Sequence, residues 1–495
     1  MKSVLIEHDY KYAAEQIILA LFPDSQKHNR SDDNATSCDE LMVESKLSIG
    51  LVYAQATAIV TKGNTRCRGV ARVKRDSLTN KLITDRMLQR IIKQSIFRAA
   101  IDVLEIPPVW GSLTGIRPAK LATASLEAGK SEKAAIRSLS CDYHVSHERA
   151  VMSVEAAQCA LRVKRSLLTR DIALYVGIPF CPTRCAYCSF VSNSVEKSFG
   201  LIEPFTQSLL AEIDLAAETI RALGLNVIAV YFGGGTPTSL PDTNLETVMR
   251  AVNNSFDLSR IREYTVEAGR PDTITSRKIE IVKELGAGRI CVNPQSFSKK
   301  VLQTIGRAHT PSDTINAVEL VKKSGAAINM DVIAGLPGDT INGFSSTLET
   351  VLDLEPENVT VHTLSLKKGS RVMLENTVRP SGAMVADMLG YASHRLRESG
   401  YAPYYLYRQK YTSGGFENTG WTVPGHEGIY NICMMEELTS IFALGGGGVT
   451  KLILSEGRIE RIFNAKYPRE YTMNSVKTKE KYTKIKEIYH SNDIR

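Results

Sequence analysis

The pattern of apolar and polar residues between residues 170 and 363 predicts strands that alternate with helices. Short apolar runs, bounded by glycine or polar residues, are typical of buried parallel strands. Six such strands are expected, at 172–178, 226–232, 263–267, 289–293, 327–333 and 358–363. Apolar residues spaced three to four apart predict amphipathic helices between the strands, at 202–223, 241–255, 275–285, 298–305 with 311–323, and 341–353.

This alternation predicts an α/β fold whose parallel strands are joined by right-handed crossovers. Six βα units in about 200 residues favour a partial (β/α)6 barrel of the TIM type over a closed eightfold one. In such barrels the functional side chains follow the C-terminal ends of the strands. Residues with chemistry are therefore expected at those ends.

The regions on either side of the barrel have other patterns. Residues 1–105 predict a small α/β domain, in which 47–60 (LSIGLVYAQATAIV) and 65–75 (TRCRGVARVKR) form paired strands and 84–104 forms an amphipathic helix. Ala- and Leu-rich sequence over 106–168 predicts a helical linker region. The Tyr- and Gly-rich remainder is too apolar for disorder and predicts a C-terminal α+β domain or lid. The expected divisions are 1–105, 106–168, 169–370 and 371–495.

Composition excludes several classes of protein. The 495 residues are 43% hydrophobic and 23% charged, which are ordinary values for a globular protein. No apolar run of about 18 residues predicts a membrane span, and the polar start is unlike a secretion signal, so a cytoplasmic location is expected. The net charge of +8 is dispersed. Neither a nucleic acid nor a membrane is expected as a partner, whereas a small polyanionic substrate suits the positive excess.

Three cysteines stand out in YVGIPFCPTRCAYCSF, residues 175–190. Cys181, Cys185 and Cys188 lie within eight positions, while the other six of the nine cysteines are far apart in the sequence. Thiolates at such spacing bind zinc or an iron–sulfur cluster. Structural zinc takes four ligands, usually from two close pairs, so zinc here would need a distant fourth donor. Chance clustering or a redox pair is the remaining alternative.

A cluster held by three cysteines leaves one iron free to bind a small molecule, and other strand ends offer groups for one. YFGGGTPT follows the second strand, and its glycines allow close approach of a ligand to the backbone. Glu267 ends the third strand, Gln295 and Arg307 follow the fourth, and Asp331 lies in the fifth. Each carboxylate alone could form a structural ion pair. Their placement along successive strands favours a ligand-binding site.

The spacing CxxxCxxC followed by Ser–Phe resembles the signature of the radical S-adenosylmethionine (SAM) superfamily. Three further motifs make the resemblance more specific: NPQSF, IGRAHT and DVIAGLPGDT. With the cysteine motif they are similar to the oxygen-independent coproporphyrinogen III dehydrogenases over roughly residues 170–370. WGSLTGIRPAK, YYLYRQK, FENTGW and HEGIYN are similar to the longer form of that family, HemZ. The likeness thus extends over most of the chain.

The resemblance implies a radical SAM barrel with two cofactors, a [4Fe–4S] cluster and SAM. Cys181, Cys185 and Cys188 would hold the cluster. The residues that would contact SAM are Tyr175, Gly234, Gly235, Thr236, Glu267, Gln295, Arg307 and Asp331. Among these, Tyr175 and Glu267 are the candidate catalytic residues. The ammonium, carboxylate and ribose diol of SAM suit such polar groups, because charge-assisted hydrogen bonds fix orientation.

The implied reaction converts two propionates of coproporphyrinogen III to vinyl groups, giving protoporphyrinogen IX in porphyrin and heme biosynthesis without oxygen. A 5′-deoxyadenosyl radical would carry it out, and an electron donor such as flavodoxin or ferredoxin would be a partner. A candidate substrate surface, which offers cations and aromatic faces together, combines Arg408 and Lys410 with Tyr404, Tyr405 and Tyr407 of YYLYRQK. Packing of these tyrosines in the core is the alternative.

Two departures keep other functions open. The dehydrogenases read YxHIPFC where this chain has Gly177, and they carry a further cysteine where it has Phe190. Phenylalanine at the second position also occurs in relatives that act as heme chaperones. A heme-binding or heme-delivery protein of the same superfamily is therefore the alternative, and another radical SAM reaction on a tetrapyrrole is a third.

Overall fold

The computed structural model describes residues 2–22, 41–104, 107–188, 193–365, 370, 372, 379–409 and 412–491. It divides the chain into two compact units. The first comprises Met1–Val154 with Gly414–Phe416, and the second comprises Glu155–Ser413 with Glu417–Arg495.

The first unit contains a four-stranded sheet with the strand order β1-β2-β3-β4. Its strands are β1 (Lys2–Ile6), β2 (Met42–Ile49), β3 (Tyr53–Lys62) and β4 (Thr65–Lys74). Its helices are α1 (Lys11–Leu21), α2 (Lys81–Ala100), α3 (Ala119–Glu127), α4 (Glu132–Tyr143) and α5 (His147–Ser166), the last of which contains the boundary after Val154. Alternate residues of β3 and β4 pack with α1 and α2 in one core. The opposite side chains of these strands form a second, polar sheet face.

One predicted strand of this sheet is wrong. The sequence predicts a single strand over 47–60, but the chain reverses between Ile49 and Tyr53 and forms the hairpin β2–β3. The turn consists of Gly50, Leu51 and Val52, and the two aliphatic residues after the glycine continue the apolar pattern of a strand. The hairpin therefore carries an apolar tip.

The second unit is built on an eleven-stranded sheet. Its central strands, all parallel, stand in the order β5-β8-β9-β10-β11-β12. They are β5 (Asp171–Ile178), β8 (Asn226–Gly234), β9 (Glu263–Glu267), β10 (Arg289–Cys291), β11 (Ala327–Ala334) and β12 (Asn358–Thr363). Between β5 and β8 a short pair forms from β6 (Phe180–Cys181) and β7 (Asn193–Ser194). All six predicted barrel strands are present, and the partial barrel is confirmed.

Helices connect the barrel strands, and all of them except the short α6 are expected from the amphipathic pattern of the sequence. They are α6 (Val195–Ser198), α7 (Ile202–Ala222), α8 (Asp242–Ser255), α9 (Ser276–Glu284), α10 (Lys299–Thr304), α11 (Pro311–Ser324) and α12 (Ile341–Asp353). Local chemistry fixes their ends. Thr310 and Asp313 form a capping box around Pro311 at the start of α11, and Gly325 ends that helix in the left-handed conformation.

Strands from the C-terminal region extend the same sheet at both edges. One edge adds β14 (Glu417–Thr422) and β13 (Ala402–Arg408), which are antiparallel. The other adds β15 (Ser440–Gly445), parallel to β5, followed by antiparallel β16 (Val449–Ile453) and β17 (Ile459–Phe463). The remaining helices are α13 (Gly382–Glu398), α14 (Ile429–Glu436), α15 (Pro468–Thr472) and α16 (Ser475–His490).

The compact units do not follow the four divisions expected from the sequence. The helices over 119–143 belong to the first unit, and the barrel shares one compact unit with the C-terminal strands. The local pattern of apolar and polar residues does not reveal which segments share a compact unit. Strand pairing between distant segments leaves no local periodicity. The boundaries at 105, 168 and 370 stay predictions of functional segments. No helix among the described residues is long and apolar enough to cross a membrane.

Candidate active site

A cavity of about 700 Å³ opens at the C-terminal ends of the barrel strands. Every residue singled out from the sequence for the cluster or for SAM lies on its wall. These residues are Tyr175, Cys181, Cys185, Cys188, Gly234, Gly235, Thr236, Glu267, Gln295, Arg307 and Asp331. The parallel strands bring them together because their C-terminal ends meet at one edge of the sheet.

The loop after β5 carries the three thiols and is braced from two sides. The Arg270 guanidinium donates to the carbonyl and hydroxyl of Thr183, at 3.0 and 3.1 Å, and points a third N–H at Cys185 Sγ, 3.8 Å away. Asp272 holds the same guanidinium through two hydrogen bonds, of 3.1 and 3.0 Å. On the other side Cys181 Sγ lies 3.6 Å from Thr236 Oγ1. The loop is therefore held in place by strand ends.

The three thiols of the loop share the cavity. Cys181, Cys185 and Cys188 all line its wall. An iron–sulfur cluster is held by cysteine thiolates, and the residues present fit one held by these three.

The glycine-rich segment after β8 supports this loop. Gly235 and Thr236 donate backbone N–H groups to the carbonyls of Ile178 and Phe180, both at 2.7 Å. A Cβ on Gly235 would lie 2.3 Å from the Phe180 carbonyl oxygen, and Gly234 has a φ of +104°. Glycine is required here because the two backbones touch. The segment thus positions the start of the cysteine loop as well as lining the cavity.

Glu267, at the end of β9, has an unusual environment for a carboxylate. It accepts hydrogen bonds from the Tyr231 hydroxyl and from Asn293 Nδ2, the latter at 3.1 Å. Burial and then the nearby charge of Asp331 raise the pKa of Glu267 to about 7, against these hydrogen bonds. A carboxyl that titrates near neutrality at the end of a barrel strand is a functional-site candidate.

Asp331 and His362 form a charged pair on adjacent strands. His362 Nε2 lies 3.4 Å from Asp331 Oδ2, and Asn329 donates to the other oxygen at 2.8 Å. Burial acts against both charges, but each partner's charge and hydrogen bond outweigh it. The pKa of His362 is therefore raised, and the pKa of Asp331 lies below its usual range. The cavity wall thus carries the Asp331 carboxylate beside an imidazole whose protonated form it favours.

Several polar atoms at the cavity wall lack a partner within the protein. Asn293 Oδ1, Gln295 Oε1 and Arg307 Nε are buried with no hydrogen bond. Gln295 also adopts a φ of +65°, which is strained for a residue other than glycine. Unpaired buried polar atoms cost free energy, so their concentration at one site indicates a polar ligand. The donor set fits SAM together with the thiol loop.

The two terminal nitrogens of the Arg307 guanidinium hold the cysteine loop against the strand ends. One terminal nitrogen, Nη1, donates to the carbonyl oxygens of Gly269 and Asn293, at 3.1 and 2.5 Å. The other, Nη2, donates to the Tyr187 hydroxyl at 3.1 Å. Tyr187 lies between two of the cluster-candidate cysteines in the sequence, so Arg307 links the loop to two strand ends.

An aromatic wall faces these polar groups. Tyr430 of α14 stacks on Tyr231, with 4.4 Å between ring centroids, and its ring lies 6.3 Å from that of Tyr175. Tyr405 and Tyr407 of β13 also line the cavity. Flat aromatic faces of this kind suit a flat, largely apolar ligand.

The structure corrects part of the predicted substrate surface. Tyr405, Tyr407 and Gln409 line the cavity, and neither Tyr404 nor Arg408 does. Tyr404 packs in a core cluster with Cys159, Ile432 and Cys433, and Tyr405 belongs to the same cluster while it also lines the cavity. The alternation of side chains along β13 keeps Tyr404 and Arg408 off the cavity wall. Lys410 lies outside the described residues.

Sequence analysis did not single out several residues of the site. They include Arg270, Asn293, Asn329, Thr360, Tyr430 and Met434. Arg270 follows Glu267 by three positions and Asn293 precedes Gln295 by two, so proximity to a strand end could have indicated both. Tyr430 and Met434 come from a distant helix, and no local signal marks them.

Gly177, one of the two departures from the dehydrogenase pattern, has a structural explanation. It pairs with Gly445 of the added strand β15, and a Cβ at Gly177 would lie 2.7 Å from the Gly446 carbonyl oxygen. No side chain fits this position without movement of the β15–β16 turn. The other departure, Phe190, lies outside the described residues.

Comparison with known proteins identifies the superfamily. Residues 175–351 match the Radical SAM superfamily. The fold is similar to that of coproporphyrinogen III oxidase (HemN) from Escherichia coli, described as a radical SAM enzyme, with a TM-score of 0.50 and 20% identity over 64% of this chain and 73% of that one. The barrel and the cysteine loop thus define a radical SAM protein, whose cofactors are a [4Fe–4S] cluster and SAM.

Two relatives narrow the family. The chain is 38% identical over 400 residues to the oxygen-independent coproporphyrinogen-III oxidase-like protein HemZ of Bacillus subtilis, covering 79% of this chain and 80% of the relative. It is 30% identical over 288 residues to the heme chaperone HemW of Lactococcus lactis, covering 57% of this chain and 70% of the relative. The chain belongs to the coproporphyrinogen III oxidase-like family of radical SAM proteins that includes HemZ.

Proposed function

We propose that the protein catalyses the oxygen-independent oxidative decarboxylation of coproporphyrinogen III to protoporphyrinogen IX. The observation that supports this most is a single cavity whose wall combines three thiols, an unpaired polar set and an aromatic face. The thiols and polar atoms suit the two cofactors, and the tyrosine faces suit the pyrrole rings of the macrocycle. Likeness to HemZ over most of the chain supports the same substrate class.

In this proposal each part of the wall has a role. Cys181, Cys185 and Cys188 hold the cluster. Glu267 and Asp331 bind the cationic and hydroxyl groups of SAM, and Gln295 and Arg307 offer their unpaired atoms to its polar groups. Gly234, Gly235 and Thr236 bring backbone close to its methionine part. Tyr175, which lies beside Tyr231 and Tyr430, excludes water from the reacting atoms.

The cofactors, when bound, supply a 5′-deoxyadenosyl radical that takes one hydrogen atom from a propionate β-carbon. The propionate then loses CO2 and one electron, and the vinyl double bond forms between its two remaining carbons. Each propionate therefore needs one electron from a donor such as flavodoxin or ferredoxin and one acceptor for the electron released. His362, whose protonated form Asp331 favours, lies on the cavity wall where it can meet a substrate carboxylate.

The test is product analysis under strict anaerobiosis. The reconstituted protein, given reductant, SAM and coproporphyrinogen III, is expected to release CO2, 5′-deoxyadenosine and protoporphyrinogen IX. Retention of added heme without any of these products would instead support the heme-delivery function.

The raised pKa of Glu267 predicts that SAM binding depends on pH. In the free site Glu267 stays protonated up to about pH 7, well above the ordinary 4.5. Because the ammonium of SAM favours the carboxylate, affinity should fall by about tenfold for each pH unit below 7, and binding at pH 6 should release a proton. Calorimetry in two buffers of different ionisation enthalpy measures that proton, which Glu267→Gln should eliminate. An equal affinity at pH 5.5 and 7.5 would contradict this role.

The alternation along β13 predicts which tyrosine affects the substrate. Tyr407→Leu, on the cavity face, should raise the apparent constant for coproporphyrinogen by roughly tenfold, because an aromatic contact is lost. Cluster content and SAM cleavage should stay unchanged. Tyr404→Leu, on the core face of the same strand, is the matched control and should leave the substrate constant near that of the parent. The reverse ranking of the two variants would place the substrate elsewhere.

Heme delivery is the second candidate, and two observations favour it. Gly177 cannot carry the histidine of the dehydrogenases while Gly446 packs against it, and the heme chaperone HemW is also a relative. Under this alternative the aromatic wall would bind heme, and SAM cleavage would not be coupled to decarboxylation.

A further inference from the structure

The tip of the β2–β3 hairpin in the first unit is apolar and uncovered. Leu51 is 91% exposed, Val52 64%, Ile49 56% and Tyr53 44%. Scattered exposed apolar residues are ordinary, but these four lie within five consecutive positions at the end of one hairpin. Beside Gly50 the turn exposes two aliphatic residues, Leu51 and Val52, at positions where polar residues form turns at lower cost.

The tip is held in one shape. Gly50 N donates to the Tyr53 carbonyl at 2.9 Å, and Arg75 N donates to the Val52 carbonyl at 2.9 Å. The Arg75 side chain adds a hydrogen bond of 3.1 Å to the Gly50 carbonyl. The aliphatic side chains are therefore presented on a fixed backbone, which lowers the ordering cost of any contact they make.

Basic side chains flank the tip. Lys74 of β4 pairs in register with Tyr53, and Arg72 pairs with Gln55 two positions further along. With Arg75 they form an exposed group of three cations next to the tip, and Asp76 is the single acid among residues 72–76. Arg66 and Arg68 continue the basic row on the same face of β4. The surface therefore combines an exposed aliphatic tip with lysine and arginine side chains beside it.

We propose that this hairpin docks the protein onto the surface of an anionic lipid bilayer. Aliphatic side chains enter the boundary between headgroups and acyl chains, while lysine and arginine at the rim meet anionic headgroups. A nucleic acid fits the tip less well, because base recognition on a sheet uses aromatic faces and Tyr53 is the only aromatic residue at the tip. Hydropathy along the chain predicts no membrane partner because such a short tip forms no apolar run.

The test is co-sedimentation of the full-length protein with vesicles. Vesicles of phosphatidylcholine with about one third phosphatidylglycerol should bind the parent, and phosphatidylcholine alone should bind it far less. The double variant Leu51→Ser, Val52→Ser should lower binding to the anionic vesicles by about tenfold or more. Arg72→Gln with Lys74→Gln should weaken binding by about tenfold and reduce its dependence on salt.

The matched control replaces a leucine and a valine that are also exposed, in the second unit. Leu168 is 54% and Val476 67% exposed, and Leu168→Ser with Val476→Ser should bind vesicles like the parent. A reporter is available because both tryptophans of the parent, Trp110 and Trp421, are buried. In Val52→Trp, fluorescence should shift to shorter wavelength when anionic vesicles are added. Unchanged thermal melting of each variant shows that folding is intact.

Three results would overturn the proposal. The parent would remain in the supernatant with anionic vesicles, or the control would lose as much binding as the tip variant. A single-stranded oligonucleotide bound through Arg72 and Lys74 in the absence of vesicle binding would assign the face to nucleic acid. Self-association abolished by the tip variant, again without vesicle binding, would assign the tip to a second copy of the chain.

Discussion

Replacement of Cys185 by alanine is expected to abolish the iron–sulfur cluster and all SAM cleavage. The parent, reconstituted without oxygen, should hold about four iron and four sulfide per chain and absorb broadly near 400 nm. A cluster bound by three thiolates has no spare protein ligand, so the loss of one is not compensated. Cys181→Ala and Cys188→Ala should behave alike. Iron and labile sulfide analysis measures the result directly.

Cys159→Ala is the matched control for this prediction. Cys159 is buried in a core cluster of the same unit, and burial raises the pKa of its thiol to about 11, so it stays protonated. Its variant should keep the full cluster and full activity. Zinc at one equivalent with no labile sulfide in the parent would contradict the cluster assignment.

The second large effect is expected at Glu212, far from the cysteines. Glu212 of α7 is completely buried and accepts hydrogen bonds from Gly445 N at 2.8 Å, Lys481 Nζ at 2.8 Å and Tyr471 OH at 2.5 Å, and from Asn464. Burial works to raise the pKa of Glu212, but the charge of Lys481 outweighs it, so the pKa lies below its usual range. Glu212 thereby joins α7 to α16 and to the turn after β15.

Glu212→Ala should lower the free energy of unfolding of this unit by about 3–5 kcal/mol, because Lys481 would remain buried without a counter-charge. Urea unfolding followed by circular dichroism measures the change. Glu218→Ala is a close control, since Glu218 also joins α7 to α16, pairing with Lys486 at 2.9 Å, but is exposed. That variant should unfold like the parent, because exposed ion pairs contribute little.

A further variant separates charge from packing at this site. Glu212→Leu combined with Lys481→Met should recover much of the lost stability, because apolar replacement of a whole buried pair is often neutral. If Glu212→Ala unfolded at the same urea concentration as Glu218→Ala, the buried network would not stabilise the unit.

The barrel could be predicted well because its signals are local. Each strand is a short apolar run and each helix has its own amphipathic period, so the boundaries of β5 and α12 match the structure to within one residue. The cysteine spacing is equally local. What the sequence could not reveal is pairing across distance. The strand β15 joins β5 although about 260 residues separate them along the chain.

Some features of the site could likewise be predicted from local sequence, and others could not. Glu267 and Asp331 stand at ends of predicted strands, so their presence in the cavity follows from the topology. Their charge states do not, because the pKa of Glu267 depends on Asp331 and that of Asp331 on His362, which come from three strands. Tyr430 reaches the cavity from a distant helix. The prediction at the hairpin tip was wrong for another reason. Leu51 and Val52 have the apolar character of strand residues, and only the structure shows that they are exposed.

The measurement that tests the central claim most directly follows one hydrogen atom. Coproporphyrinogen III deuterated at the propionate β-carbons is incubated anaerobically with the reconstituted protein, SAM and reductant, and the 5′-deoxyadenosine is analysed by mass spectrometry. We predict that deuterium appears in 5′-deoxyadenosine in step with the release of CO2 and the formation of vinyl groups, and that Cys185→Ala shows none of the three. SAM cleavage without deuterium transfer, and without vinyl product under any reductant, would contradict the account.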